Sequence, residues 1–318
     1  MSVQTTHRQP KAHMSDEPAK TQLATRKPGR LRRGELMFAV LMILPAVGGL
    51  ALFQLFPFGK AFADSLMKFN PFTQAPTGFA GLANYVQIAN DPSFWTSITN
   101  TAVYGVGILG LELPLALGLA LLLNQAVAGT ALARTAVIAS LAASEAVISL
   151  LWFMIYDKEN GLFNAALGMV GLGPLDLLTD GSQAKVVLIL MAVWKDIGLP
   201  TLIFLAGLQS IPQEYYEAAS LDGAGKWAAF RHITLPGLRK NTLLATFMVT
   251  VAATRFFTPI ILMTQGGPNH ETSNLMYYSY EQGFLLNSYG TGSAAVIAMV
   301  ALLAVVTAIQ MYALRERD

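Results

Sequence analysis

Long apolar stretches separated by short polar segments dominate the sequence. Six of them reach about 20 residues, the length that a helix needs to cross a bilayer core of about 30 Å. The segments between them carry Gly, Pro, Asn and Asp, which end helices. This pattern predicts an all-α membrane protein with six transmembrane helices. The predicted spans are about 36–58, 101–123, 135–156, 186–208, 243–263 and 294–314.

The composition supports a membrane protein. The chain is 53% hydrophobic and only 13% charged, whereas soluble domains carry about 25% charged residues. Most of its surface is therefore expected to face lipid. The absence of cysteine excludes disulfides, thiolate metal sites and a cysteine nucleophile. The four histidines are scattered without metal-ligand spacing, so no metal site is expected.

The N-terminal segment differs from the rest of the chain. Residues 1–34 are polar and basic, which predicts a disordered cytoplasmic tail, followed by a transmembrane domain over 35–318. Arg32-Arg33 before an apolar run, with Ala61-Phe62-Ala63 after it, also resembles a cleavable twin-arginine signal. The run is longer than a usual signal core and five more spans follow, so we interpret the first span as an anchor.

Lys and Arg are unevenly distributed among the polar segments. Eight lie in the N-terminal tail, one is Arg134, four lie in 209–240 and two follow residue 314. The alternate segments hold only Lys60, Lys68, Lys158 and Lys185. Because positive residues stay in the cytoplasm, both termini and the 209–240 segment are predicted to be cytoplasmic. The segments predicted to face outward are 59–97, 157–185 and 264–293.

The cytoplasmic segment between spans four and five predicts a short helix over 213–223. Pro212 suits the first turn, where its missing N–H costs nothing. Glu214 and Glu217 lie toward the N-terminal half, where the helix dipole favours negative charge. Gly223 is a natural stop. The helix of about 11 residues would be roughly 16 Å long, too short to cross a bilayer.

Small residues suggest that this short helix packs against another surface. Ala218 and Ala219 give it a face that allows close approach to another surface. A second short helix over about 225–233 is predicted before Leu235-Pro236 returns the chain to the membrane. From composition alone, an amphipathic helix lying at the lipid headgroups remains the alternative.

The segment carries a motif of a known family. EAASLDGAG at 217–225, followed by ITLP at 233–236, resembles the EAA loop of the permease subunits of ABC importers. The resemblance implies that the short helix docks in a groove of a cytosolic ATPase and transmits its closure to the membrane. The residues expected to couple to the ATPase are Glu214, Glu217, Ala218, Ala219, Asp222 and Gly223.

The resemblance extends over residues 36–314. The segments 82–101 and 264–284 are similar to sugar-type permeases, in particular to the first of their two permease subunits. This implies a type I importer in the cell inner membrane, with span one wrapping the partner. The implied partners are a second, related permease subunit in a heterodimer, two copies of an ABC ATPase and an extracytoplasmic solute-binding protein. The family's usual proline near Ser144-Glu145 is missing, which leaves the helix geometry there open.

No nucleotide site is predicted in this chain. Gly223-Ala224-Gly225-Lys226 hints at a phosphate-binding loop, but Ser220 and Trp227 stand where that motif needs Gly and Ser or Thr. The chain is therefore expected to bind no cofactor and to have no catalytic residues. ATP and Mg would be used by the partner ATPase. Lipid is an expected contact, and nucleic acid is not.

Five ionisable residues lie near the middle of predicted spans: Glu112, Glu145, Lys195, Asp196 and Arg255. Each would cost about 2.5–3.5 kcal/mol at a helix centre. Either they form mutual ion pairs, for example Glu145 with Arg255, or some of them line the substrate pathway. The resemblance also places Trp194, Phe256 and Phe257 where the family contacts sugar, although each of these rings could equally pack against other helices.

The sequence leaves the identity of the solute open within one class, polar solutes related to sugars. A sugar or related polar solute is expected, and a glycerophosphodiester, an amino sugar or a polyol are alternatives. A proton-coupled secondary transporter using Glu112, Glu145 or Asp196 is a more remote alternative, since no internal repeat is evident. An intramembrane enzyme using paired carboxylates is equally remote, since no nucleophile or metal set accompanies them.

Overall fold

A computed structural model of the chain describes residues 33–125 and 129–314. The chain divides into a unit of residues 1–55 and a unit of residues 56–318. In the first unit, helix α1 (Arg33–Leu50) is followed by a π-helical turn, Ala51–Leu55. The predicted tail at 1–34 lies, up to residue 32, outside the described residues.

The second unit is built almost entirely of helices. Its α-helices are α2 (Phe56–Ser65), α3 (Ala83–Ala89), α4 (Pro92–Leu123), α5 (Thr130–Ala142), α6 (Glu145–Ile155), α7 (Leu162–Met169), α8 (Gly181–Asp196), α9 (Gly198–Ser210), α10 (Gln213–Leu221), α11 (Lys226–Ala229), α12 (Leu235–Gly237), α13 (Arg239–Thr254), α14 (Leu275–Tyr280) and α15 (Tyr289–Leu314). Short π-helical segments lie at Phe230–Thr234, Ile260–Thr264 and Glu281–Leu285.

A small hairpin interrupts the helical pattern, and the sequence analysis did not predict it. Strands β1 (Met67–Phe69) and β2 (Pro76–Phe79) pair antiparallel, with Met67 opposite Phe79. The side-chain amide of Asn84 on α3 donates hydrogen bonds to the carbonyls of Ser65 and Met67, at 2.8 and 3.0 Å. These bonds hold the hairpin against the end of α2.

The candidate membrane-spanning helices of the described residues confirm the helical membrane fold but not the number of six spans. By length and composition, three stretches in the described residues can cross a membrane: Val40–Ser65, Pro92–Leu123 and Tyr289–Ala313. The pair α5 and α6, bent by 100°, and the pair α8 and α9, bent by 48°, pass the same test when each is taken together. The described residues therefore hold three candidate spans, or five if each bent pair is one span.

Predicted spans three, four and five are each interrupted in the structure. Span three breaks at Ala143 and Ser144, whose backbones are extended. Span four bends at Ile197, just before α9, which carries Pro200 in its first turn. Span five ends at Thr254 and resumes at 258. Pro259 explains the last break, because it donates no N–H to the preceding turn and its ring disfavours a continuous helix.

Helix α4 connects the three hydrophobic clusters of the described residues. The largest cluster includes Tyr104 and Ile108 of α4 with residues of α8 and α13. A second joins Ala116 and Leu123 of α4 to α9 and α13. The third packs Phe94 against α14 and α15. The broken spans are thus packed around one continuous helix.

A close approach between the backbones of broken spans three and four, at Gly198, generates a prediction. A Cβ atom at Gly198 would lie 2.6 Å from the carbonyl oxygen of Val137 on α5, which is backbone and cannot move aside. We expect Gly198→Leu to reduce stability by about 1–3 kcal/mol through overpacking. Thermal denaturation of the detergent-purified chain measures the effect. Gly110→Leu is the matched control, because nothing lies within 4 Å of its Cβ position; equal loss in both variants would contradict the packing.

Candidate coupling segment and translocation site

Helix α10 is closed at its C-terminus by backbone hydrogen bonds. Ala224 N–H donates to the Ala219 carbonyl at 2.8 Å, and Gly223 N–H donates to the Ser220 carbonyl at 3.1 Å. This pattern needs a left-handed residue after the cap, and Gly223 has φ +78°. The helix is shorter than predicted, Gln213–Leu221 rather than 213–223, because Asp222 and Gly223 belong to this closing turn.

The second helix predicted for this segment also differs from the helix that the structure shows. The prediction was one helix over 225–233, whereas α11 covers Lys226–Ala229 and a π-helical segment continues over Phe230–Thr234 into α12. The Tyr216 and Thr234 hydroxyls lie 2.9 Å apart and form a hydrogen bond. This bond ties α10 to the π-helical segment, so we treat 213–237 as one coupling segment.

The coupling segment exposes apolar surface. No side chain of α10 is buried, and Leu221 and Trp227 are 89% and 71% exposed. A groove of about 610 Å³ runs along the segment. Exposed apolar surface beside a groove is typical of a protein-docking or membrane-interaction site. The groove is lined in part by Tyr215, Ala218, Ala219, Asp222, His232 and Pro236.

The base of the coupling segment is held firmly in the helix bundle. Leu238 is completely buried among residues of α4, α9 and α13, including Phe204 and Leu208. The side-chain amide of Asn241 donates to the carbonyl of Ile203 at 3.0 Å. The segment is therefore an exposed surface on a rigid base. This base packs directly against α9 and α13.

Four of the five charged residues of the predicted spans, all except Glu112, lie at the helix breaks. Glu145 is in the first turn of α6, directly after the break in span three. Lys195 is in the last turn of α8, and Arg255 is the C-terminal cap of α13. Helix N-termini favour anions and C-termini favour cations. Each of these three charges therefore has the sign that its helix end stabilises.

The structure brings these charges together. Lys195 Nζ pairs with Asp196 Oδ1 at 2.7 Å. Glu112, 1% exposed on α4, has these two residues as its charged neighbours. Glu145 lies near the same pair and Arg255, beside the Thr258 side chain. Among the described residues, the ion pair formed here is Lys195 with Asp196 rather than the considered pair of Glu145 with Arg255.

The three predicted aromatic residues have different surroundings. Trp194 is 52% exposed and its ring centroid lies 5.6 Å from that of Trp152. Phe257 is half-buried, 5.3 Å from Tyr280. Phe256, by contrast, is 4% exposed and packs against Tyr104 at 5.3 Å. Phe256 is thus a packing residue, for which helix spacing alone gave no signal.

Two residues of the site were missed by the sequence analysis. Trp152 lies beside Trp194, near the C-terminal end of predicted span three. Thr258 lies beside Glu145, a contact across two helices that no spacing in the sequence indicates.

The segment after span five supports the break at Phe256. The side-chain amide of the buried Asn274 donates a hydrogen bond to the Phe256 carbonyl, one of the groups that a broken helix leaves free. The Asn274 side-chain oxygen accepts from Tyr277 N–H at 2.9 Å. Tyr104 on α4 donates to the Thr272 carbonyl at 3.0 Å. This segment therefore fixes the position of the adjacent charged site.

Comparison with known proteins identifies the family. Residues 98–317 match the family described as "Binding-protein-dependent transport system inner membrane component". The match covers more than half of the chain. The chain belongs to this family. It is a permease subunit of a binding-protein-dependent transport system.

Individual relatives are similar over most of their length. The permease is 33% identical over 265 residues to the "Trehalose/maltose transport system permease protein MalF" of Thermococcus litoralis, covering 83% of this chain and 89% of the relative. It is 32% identical over 285 residues to the "Sulfoquinovosyl glycerol transport system permease protein SmoG" of Agrobacterium fabrum, covering 90% and 92%. It is also 32% identical over 271 residues to the "sn-glycerol-3-phosphate transport system permease protein UgpA" of Yersinia pestis, covering 85% and 91%.

A solved structure has the same fold. A chain of a bacterial ABC transporter involved in the import of the acidic polysaccharide alginate matches with a TM-score of 0.75 and 23% identity, covering 89% of this permease and 96% of that chain. The same transporter has been solved with an alginate pentasaccharide-bound periplasmic protein. The broken helices therefore belong to the fold of an ABC importer permease.

The buried amide of Asn274 generates a prediction for the permease. Asn274→Leu leaves the Phe256 carbonyl and the Tyr277 N–H without their partner, and we expect a loss of about 1–3 kcal/mol of stability. Thermal denaturation in detergent measures it. The control is Asn90→Leu, because Asn90 is exposed and its amide bonds only the carbonyl one turn back. Wild-type stability of Asn274→Leu would show that the break is held by other contacts.

Proposed function

We propose that this permease forms half of the translocation pathway of an ATP-driven importer for a sugar or related polar solute. An extracytoplasmic binding protein delivers the solute, and a separate ATPase drives transport through the 213–223 helix. The observation that carries the proposal is the coupling segment, an exposed apolar surface whose base at Leu238 is buried in the bundle that holds the charged site.

The proposed topology has six spans with both termini in the cytoplasm of a cell inner membrane. The distribution of Lys and Arg supports this orientation. Span five consists of α13 and the helical residues after its break. Non-helical backbone at membrane depth is tolerated where protein or a water-filled cavity surrounds it, which supports counting broken segments as spans.

The proposed assembly contains a second, related permease subunit, two copies of an ABC ATPase and the binding protein. The heterodimer is inferred from the resemblance to the first subunit of a permease pair. The periplasmic protein in the structure of the alginate transporter supports the last partner. This chain carries no catalytic residue and binds no cofactor in the proposal, because ATP and Mg are used by the ATPase.

The proposed pathway runs past the helix breaks. Helix ends present backbone groups and fixed charges that replace the hydration of a polar solute. Exposed or half-buried residues form its lining, while Glu112 and Phe256 support them from behind. The proposed lining residues are Glu145, Trp194, Lys195, Asp196, Arg255 and Phe257.

The solute class follows from the site and the relatives. Aromatic rings beside hydrogen-bonding charges suit the CH face and the hydroxyls of a sugar. Relatives are named for trehalose and maltose, for sulfoquinovosyl glycerol and for sn-glycerol-3-phosphate. A saccharide is therefore the first candidate, with a glycerophosphodiester, an amino sugar or a polyol as alternatives.

A proton-coupled transporter is the second candidate, and one observation favours it. Broken helices and membrane carboxylates are typical of secondary transporters; Glu145 and Asp196 lie at helix breaks, and Glu112 lies within the continuous α4. Uptake distinguishes the two. The proposed importer requires ATP and its partner subunits and keeps its activity when a protonophore removes the proton gradient at constant ATP. Full transport by the chain alone, abolished by the protonophore, would replace the proposal.

Charge reversal on α10 tests the coupling role. Glu217→Lys places a cation on the exposed face of α10, and Gly223→Val strains the left-handed turn that closes the helix, which costs about 1–2 kcal/mol. Both variants are expected to stay in the membrane, to lose most uptake and to uncouple ATP hydrolysis from it. Glu159→Lys is the matched control on another exposed loop. Normal uptake by both α10 variants would contradict the coupling role.

Neutral substitutions at the helix breaks test the pathway. Glu145→Gln keeps the side-chain shape and Arg255→Gln shortens the side chain; both remove the charge, and we expect uptake to fall about tenfold through loss of a charge-assisted hydrogen bond. ATP hydrolysis and membrane insertion should stay near wild type. Radiolabelled uptake measures the effect, with Lys158→Gln as an exposed control. Wild-type uptake in both break variants would exclude these residues from the pathway.

A further inference from the structure

A second cavity lies outside the charged site, between α2, α15 and the π-helical segment Glu281–Leu285. It has a volume of about 300 Å³, at the lower end of the range for small-molecule sites. In the proposed orientation it faces outward, because 59–97 and 264–293 are the outer segments. The inference below therefore rests on the proposed function.

The cavity combines two kinds of wall. The rings of Phe284 and Tyr289 meet edge to face, with centroids 5.8 Å apart, and Phe284 is 62% exposed. The second wall is charged. It is formed by Lys60 and Asp64 of α2, an ion pair in which Lys60 Nζ lies 2.6 Å from Asp64 Oδ2. Both pairs line the cavity. An open aromatic face beside a hydrogen-bond donor and an acceptor suits a pyranose ring, whose CH face is apolar and whose hydroxyls are polar.

The aromatic wall continues toward the charged site. Phe284 stacks on Tyr280 with centroids 5.6 Å apart, and Tyr280 contacts Phe257 at 5.3 Å. Phe257 is two residues from Arg255 and adjacent to Thr258, the neighbour of Glu145. Tyr280 and Phe257 are partly buried against the largest hydrophobic cluster, whereas Phe284 is 62% exposed and belongs to none of the three clusters. Helical spacing explains the row of rings, but not the exposure of Phe284.

We propose that this cavity is an outer saccharide subsite, in which a pyranose ring stacks on Phe284 and bonds Lys60 and Asp64 before it passes along Tyr280 to Phe257. A phospholipid headgroup would also find a cation and a carboxylate here. The row of rings leading to the charged site favours the saccharide, because a lipid headgroup bound at the cavity gains nothing from it.

A tryptophan reporter in the cavity tests the subsite. The full chain is reconstituted in lipid nanodiscs, and Phe284→Trp is titrated with maltose and with trehalose. The wild-type chain, with its four tryptophans, supplies the background. We expect a saturable change in emission for at least one saccharide and about tenfold weaker binding with Asp64→Asn added. sn-Glycerol-3-phosphate has no ring to stack and should give no such change.

Controls separate the outcomes. Phe79→Trp places an indole at a 77% exposed position outside the cavity and should not respond. An equal response there, or no response to either saccharide at Phe284→Trp, would overturn the subsite. Quenching of the Phe284→Trp indole by brominated phospholipid, unrelieved by saccharide, would identify a lipid occupant instead. If Phe284→Trp fails to fold, Tyr289→Trp is the reporter.

Transport is measured separately from binding, so that failure of the proposed subsite can be distinguished from failure of the proposed function. Saccharide binding in the cavity without ATP-dependent uptake by the assembled transporter would contradict the proposed function alone. ATP-dependent uptake that is unaffected by Asp64→Asn, together with a silent reporter, would contradict only the subsite.

Discussion

A helix broken inside a membrane must satisfy the backbone groups that the break releases, and the site of this permease depends on how that is done. Lipid offers no hydrogen bonds, so the released groups need protein or water. At the break in span five, the Asn274 side chain bonds the Phe256 carbonyl. At the breaks in spans three and five a side chain of matching charge, Glu145 or Arg255, lies at the helix end, and α8 ends on the Lys195–Asp196 ion pair. Such a match is worth up to about 2 kcal/mol in partly buried settings.

The same breaks connect the charged site to the coupling segment. Helices α9 and α13 each begin or end at a break, and both pack on Leu238 at the base of the segment. A continuous helix resists bending, whereas two shorter helices joined at a break can tilt separately. Movement of the exposed α10 would then change the angle between half-helices and alter the access of solvent to the charges. In the proposed mechanism, the helix breaks therefore both stabilise the polar site and transmit motion to it.

Much of this architecture follows from the sequence, and the rest depends on contacts that no spacing encodes. Apolar length and the Glu-Ala-Ala and Gly223 signals predicted the spans and α10, because both are local properties. The breaks at Ser144 and Ile197 were not predicted, although Pro259 after Arg255 was a readable signal for the third. The hairpin at 67–79 and the burial of Phe256 depend on tertiary contacts with Asn84 and Tyr104. The pairing of the membrane charges likewise depends on tertiary contacts, because it is set by how the helices pack.

The most direct test measures whether movement of α10 reaches a helix break. The chain has no cysteine, so Ser220→Cys on α10 and Val147→Cys, just after the break in span three, accept spin labels specifically; both positions are exposed. Pulsed electron resonance gives the distance between the labels in the assembled transporter, with and without ATP. The account predicts that ATP binding changes this distance. An unchanged distance in a transporter that hydrolyses ATP and imports solute normally would contradict it.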